Sequence, residues 1–142
     1  METKYLAFKM DEDLFLIKID NVNSIIQKSL NDIRVISEAP QYVEGISSLR
    51  ERALLIVNGQ KLFNKKHFIK EEYVVIVLKN ENSILGLIVD QVIAVIQIEE
   101  DKIQTKNSFI FASSMTDGVY LDGDNMYLVL NPEKLLKLKI ED

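Results

Sequence analysis

His67 is the only histidine in the chain, and cysteine is absent. Neither a thiolate zinc site nor a cysteine nucleophile is available. His67 stands among Lys65, Lys66 and Lys70. A lone imidazole cannot build a metal triad, and no serine or aspartate pattern around it resembles a nucleophile elbow. It reads as a surface loop residue. Asp122, Asp124 and Asn125 superficially suggest calcium, but the spaced ligands and distal bidentate glutamate of a calcium loop are missing. Those residues read as a hairpin turn, and Glu99-Glu100-Asp101 as a solvated loop. Asp90 closes an apolar run. A catalytic carboxylate needs a partner, and nothing nearby in sequence supplies one. Asp90 therefore reads as capping a strand end or bonding a neighbouring turn. No glycine-rich phosphate loop occurs, nor the aromatic-basic interleaving of a nucleic-acid platform. The expectation is a protein with no catalytic residue, no cofactor and no metal.

The net charge of −5 points the same way. A mildly acidic surface repels phosphate backbones, so a nucleic-acid partner is not expected. No run of about 18 apolar residues occurs, so direct membrane insertion is not expected. Met1 to Asp13 carries mixed charge, unlike a secretory leader. A cytoplasmic protein, complete from Met1 to Asp142, is the expectation. Its 142 residues make one ordinary domain, large enough to bury a core without disulfides or metal.

The elements that must position any site read as short strands. Tyr5–Met10 and Leu14–Ile19 flank the polar Asp11-Glu12-Asp13, the grammar of a β-hairpin. It returns at 73–78 and 84–89 around Lys79–Ser83, and at 118–121 and 126–130 around Asp122–Asn125. Asp122-Gly123 is a tight-turn signal, because glycine accepts positive φ and aspartate bonds the local backbone. Ala53–Val57 and Val92–Ile98 are rich in branched residues that pack well on a pleated surface. Short strands with frequent turns predict small barrels or a sandwich. Val22–Gln27 fits a strand or one helical turn. Asn131-Pro132-Glu133 opens the clearest helix, with a capping amide, proline in the first turn and an acid favouring the dipole. A second short helix is predicted through Gln60–Lys66. No strong repeat at a solenoid period stands out.

Gly45-Ile46-Ser47-Ser48-Leu49-Arg50, with Pro40 ahead of it, resembles the middle signature of CheW-like domains. Leu54–Asn58 and then Lys61–Phe63 are similar to the strand and short helix that follow in that family. Gly86-Leu87-Ile88-Val89-Asp90-Gln91-Val92 resembles its second signature, and the terminal hairpin and helix keep its order. The likeness spans nearly the whole chain. It departs at Glu51, where the family usually has glycine, at Leu55 (proline), at Asn58 (often aspartate) and at Ser24 (a common glutamate). Glu51 and Ser24 touch partner-facing surface more than fold.

The resemblance implies a mostly β fold of two small SH3-like five-stranded β-barrels packed side by side, with a short C-terminal helix. One domain would cover 1–142, with approximate subdomains 14–68 and 72–130 and terminal segments crossing between them. It implies a non-catalytic adaptor for chemotaxis-type signal transduction, monomeric alone. The partners would be the cytoplasmic tip of a chemoreceptor and the regulatory domain of the histidine kinase CheA, in arrays at the membrane. Because that kinase domain shares the fold, alternating copies can close into rings. Arg50, Leu49, Ile46 and Glu51 would face the receptor, the guanidinium gripping a helix carboxylate; an arginine bonding loop carbonyls is the bland alternative. Gly45, Asn58, Gly86, Val89 and Asp90 would be structural signature residues. Two alternatives remain at this stage: a regulatory module of another two-component pathway, and a small-molecule-binding β-barrel with Asp90 and Asp117 in one pocket.

Overall fold

The computed structural model describes residues 1–105 and 115–138. Within them, β1 (Glu2–Met10), β2 (Asp13–Lys18), β8 (Gln91–Glu99), β9 (Gln104–Thr105), β10 (Thr116–Asp122) and β11 (Asn125–Leu130) form one sheet. Its order is β8-β1-β2-β11-β10-β9. A second sheet, ordered β3-β6-β7-β5-β4, takes β3 (Val22–Ser29), β4 (Val43–Leu49), β5 (Arg52–Asn58), β6 (Glu72–Lys79) and β7 (Ile84–Val89). Helix α1 (Gly59–Leu62) follows β5 and α2 (Pro132–Leu136) follows β11.

The three hairpins expected from alternating apolar runs form, and Val22–Gln27 resolves as the strand β3. Helix α1 is shorter than the predicted 60–66, because the backbone leaves helical geometry at its C-cap Phe63 and turns left-handed at Asn64, φ 57. The sheets divide the chain near 18–22 and 89–91, so the segment 14–68 supplies strands to both.

Among the described residues neither sheet closes through its strand ladder, unlike the barrels the resemblance implies, yet each rolls around its own core. Opposite edges of the second sheet meet where Lys28 Nζ donates to the Ser48 carbonyl, 2.5 Å away. Arg34, just beyond β3, exchanges both backbone hydrogen bonds with Ile46 of β4. Leu54, Ile56, Val75, Val77 and Ile88 fill that roll. Tyr5, Ala7, Leu16, Ile98 and Val129 fill the other. A third core joins the sheets, with Leu6, Phe8, Phe15 and Ile17 of one against Ile76, Leu78, Leu85 and Leu87 of the other. Alternation along each strand assigns its residues to two different cores, which is why these strands are apolar on both faces.

The two sheets repeat each other. Matching β3-β6-β7-β5-β4 to β8-β1-β2-β11-β10 preserves every pairing sense, including one parallel pair in each, β5 with β7 and β11 with β2. The match extends to side chains. Asn58 caps α1 by accepting from Lys61 N, and Asn131 caps α2 by accepting from Lys134 N. Each asparagine also donates Nδ2 to an acid fourteen residues earlier, Glu44 or Asp117. Each acid precedes a bulge glycine whose missing Cβ leaves room for a neighbouring carbonyl. A Cβ on Gly45 would lie 2.0 Å from the Arg34 oxygen, and one on Gly118 2.3 Å from that of Gln104.

Candidate partner-binding site

Leu49 pairs with Arg52, so Arg50 and Glu51 form a two-residue hairpin tip between β4 and β5. Arg50 has φ +50. In the matching hairpin of the other sheet, Asp122 pairs with Asn125 and the corresponding residue is Gly123, at φ +61. Glycine takes this backbone without penalty, whereas a side chain crowds the following carbonyl at a cost of about 1–2 kcal/mol. The Arg50 side chain gives nothing locally in return. It is exposed and makes no hydrogen bond or ion pair among the described residues, so it does not hold the loop by bonding carbonyls. Glu51 and Arg52 are both exposed, and neither side chain has a partner among the described residues. A strained residue carrying an unused guanidinium is a candidate for recognition.

The other residues singled out from sequence divide by position. Leu49 packs against the roll of the second sheet, while half-buried Ile46 pairs with Arg34. Ile46 and Glu51 line a shallow depression with Asp32, Arg34, Ser47 and Arg52, beside the Arg50 tip. The Ser47 hydroxyl is buried there without a hydrogen-bond partner among the described residues. Gly45 and Gly86 occupy close-packed backbone. A Cβ at Gly86 would come within 2.9 Å of the Ile56 and Val75 side chains. Val89 is buried in the core between the sheets.

Asn58 is buried and joins Glu44 and Lys61, with Nδ2 donating to Glu44 Oε2 at 2.7 Å and Lys61 Nζ 3.3 Å from that carboxylate. Its amide suits Glu44, whereas the aspartate common in the family would set two carboxylates together. Asp90 accepts from the Asp11 backbone N–H at 2.5 Å and from Gln60 Nε2 at 2.6 Å, tying the left-handed β1–β2 turn to α1. Asp117 lines a different cleft, so Asp90 and Asp117 do not share a pocket.

Sequence reasoning missed an apolar pair. Ile25 pairs with Ile76, and Val95 with Leu6. Directly paired residues share a sheet face, so both point to the side where the sheets pack. Both lie on edge strands, β3 and β8, and remain 46 % and 52 % exposed. They occupy matching positions in the repeat, with Ile93 also exposed on β8. Their branched residues announced strands; only the edge position, set by long-range pairing, reveals them as uncovered.

A two-sheet scaffold with an arginine tip and apolar residues exposed at its edges describes an interaction domain. The CheW-like domain family model matches residues 4–139. The chemotaxis protein CheW of Treponema pallidum is 32 % identical over 141 residues, covering 94 % of this chain and 82 % of that protein. The chemotaxis protein CheW of Thermotoga maritima is 25 % identical over 136 residues, covering 96 % and 89 %. The scaffolding protein TtCheW from Thermoanaerobacter tengcongensis superposes with a TM-score of 0.84 over 99 % of this chain and 97 % of its own, at 24 % identity, which shows the shared fold. The chain belongs to the CheW-like domain family.

Proposed function

We propose that this protein is a non-catalytic coupling adaptor that joins chemoreceptor tips to the regulatory domain of a CheA-type histidine kinase. The observation that carries the reading is Arg50, kept in glycine-type backbone with its guanidinium unpaired on a member of the CheW-like family. A guanidinium fork suits a carboxylate on a receptor helix. Ile25 and Val95 offer uncovered apolar surface for the same kind of partner, an amphipathic helix laying its apolar side into a groove. The edge strands leave further main-chain groups for the kinase domain. Signalling is then a rearrangement of contacts, at receptor arrays on the cytoplasmic side, by an adaptor that is a monomer when alone. No helix among the described residues is long and apolar enough to cross a membrane, so array membership depends on partners.

Calorimetric titration with a receptor-tip fragment and with a kinase regulatory fragment tests this. Binding to both, with only receptor binding weakened by Arg50→Ala, is the expected result. A folded protein that binds neither fragment would refute it.

A further inference from the structure

Between the β1–β2 layer and the β11–α2 connection lies a cleft of about 450 Å³. Tyr5 forms part of its wall. The residue is only 2 % exposed, its ring packed in the core of the six-stranded sheet, yet its hydroxyl has no hydrogen-bond partner among the described residues. Around it stand Glu100, Asp117 and Glu133, with Lys18 as the one cation among the lining residues, the Met1 ammonium acting with it on Glu100, and Ile103 and Pro132 as apolar walls. The carboxylates keep acceptor capacity. Asp117 takes one bond from Asn131, Glu133 one from Asn80, and Glu100 one from Thr3, while a carboxylate accepts up to about four. Burial, then the fields of Glu100 and Asp117, push the Tyr5 phenol upward, so the hydroxyl sits in negative potential.

The repeat supplies an internal control. By strand register, the positions matching Tyr5, Lys18 and Glu100 in the other sheet are Val75, Ile88 and Leu30. Val75 and Ile88 are fully buried core residues. Asp117 and Asn131 of the cleft repeat as Glu44 and Asn58, but at Tyr5, Lys18 and Glu100 the chain is polar where the other half is apolar, which sets a free tyrosine hydroxyl beside the repeated acid. Sheet formation does not require that polarity, because the second sheet forms without it.

We infer that this cleft binds a guanidinium or alkylammonium group, carried by a free organic cation or by a polypeptide side chain. Tyr5 Oη would accept from the cation, and Glu100 and Glu133 would balance its charge at the rim. Hydrogen-bonded ion pairs with a fork-shaped donor favour guanidinium over ammonium. This inference is independent of the coupling role.

The test is an NMR titration of the full chain with ethylguanidinium chloride, with the neutral propylurea, and with the tripeptide acetyl-Ala-Arg-Ala-amide, all at matched ionic strength. Saturable shifts centred on Tyr5 and Asn131 are expected with the two cations and not with propylurea. The exposed double substitution Glu100→Gln and Glu133→Gln should weaken binding about tenfold, as the loss of two solvent-screened ion pairs. Tyr5→Phe should weaken it about threefold without altering the fold. Tighter binding of the tripeptide assigns the site to a polypeptide side chain, and equal affinities assign it to a free cation. Unsaturable shifts, an equal response to propylurea, or unchanged affinity in the double variant would overturn the inference.

Discussion

Replacing Arg50 with glycine separates what the residue costs the fold from what it does for a partner. At φ +50 the arginine carries a steric penalty of about 1–2 kcal/mol that glycine lacks. Glycine also loses more freedom on folding, which takes back about 0.5–1 kcal/mol. No bond to the guanidinium is lost, because none exists among the described residues. Arg50→Gly should therefore stabilise the protein by roughly 0.5–1 kcal/mol, a rise in midpoint of about 1–4 °C for a chain of this size. Arg50→Ala keeps a Cβ in the same left-handed backbone and should stay within about 0.5 kcal/mol of the parent. Urea denaturation of the three proteins, with the slope checked for constancy, reads the difference. Both variants should lose affinity for a receptor-tip fragment, by about tenfold or more for a desolvated arginine anchor. Stability would rise as function falls, and only for glycine. If Arg50→Gly unfolds at lower urea than the parent, the guanidinium supports the loop and the argument from strain is wrong.

The buried Asn58–Glu44 contact predicts a charge conflict. Asn58→Asp would replace a donor 2.7 Å from Glu44 Oε2 with a carboxylate and should cost about 2–3 kcal/mol at neutral pH. The repelled pair holds its proton more tightly when folded, so the loss should shrink as pH falls towards 4, and Glu44→Gln should largely restore stability at pH 7; urea midpoints against pH check both. Glycine-to-alanine changes should rank by what the new methyl meets. Gly45→Ala collides with a backbone carbonyl and should cost about 3 kcal/mol or more, whereas Gly86→Ala meets side-chain ends and should cost about 1–3 kcal/mol by overpacking, as thermal melts would show. Tyr5 is raised above its ordinary value of 10 by burial and the nearby acids, so the folded state favours the neutral phenol. Its contribution is intact below pH 10 and is lost as pH rises through the folded value. Alkaline denaturation should therefore be shallower in Tyr5→Phe, and the difference between the ultraviolet titrations of parent and variant should show a phenol that ionises above the ordinary value.

What the sequence made legible was local. Alternation and turn residues marked the β1–β2, β6–β7 and β10–β11 hairpins, and Asn131-Pro132 marked the start of α2. The β4–β5 hairpin carried no such mark, because its tip is Arg50-Glu51 in place of a glycine turn. The parallel pairs, β2 with β11 and β5 with β7, join segments far apart in the chain and leave no local trace. For that reason Ile25 and Val95 read as strand residues like their neighbours, and only the sheet order shows them at edges. Asp90 was legible in part. A carboxylate at a strand end reads as bonding a neighbouring turn, whereas the turn it bonds, at Asp11, is 79 residues away in the chain and is brought near only by the fold.

The internal repeat explains both the silence and the signal. The two sheets share few side chains, because a core accepts many apolar combinations of similar volume. What they share is what backbone geometry demands: a glycine under a carbonyl at Gly45 and Gly118, and a capping asparagine tied to an acid at Asn58 and Asn131. Positions where the halves differ against a geometric preference then stand out. The hairpin tip is one, glycine in one sheet and strained arginine in the other. The Tyr5 cleft is the second, with a tyrosine hydroxyl and a lysine where the other half has the fully buried Val75 and Ile88. Folding alone is satisfied by the cheaper solution, which the same chain uses elsewhere, so the costlier residue at each place is maintained by something outside the fold.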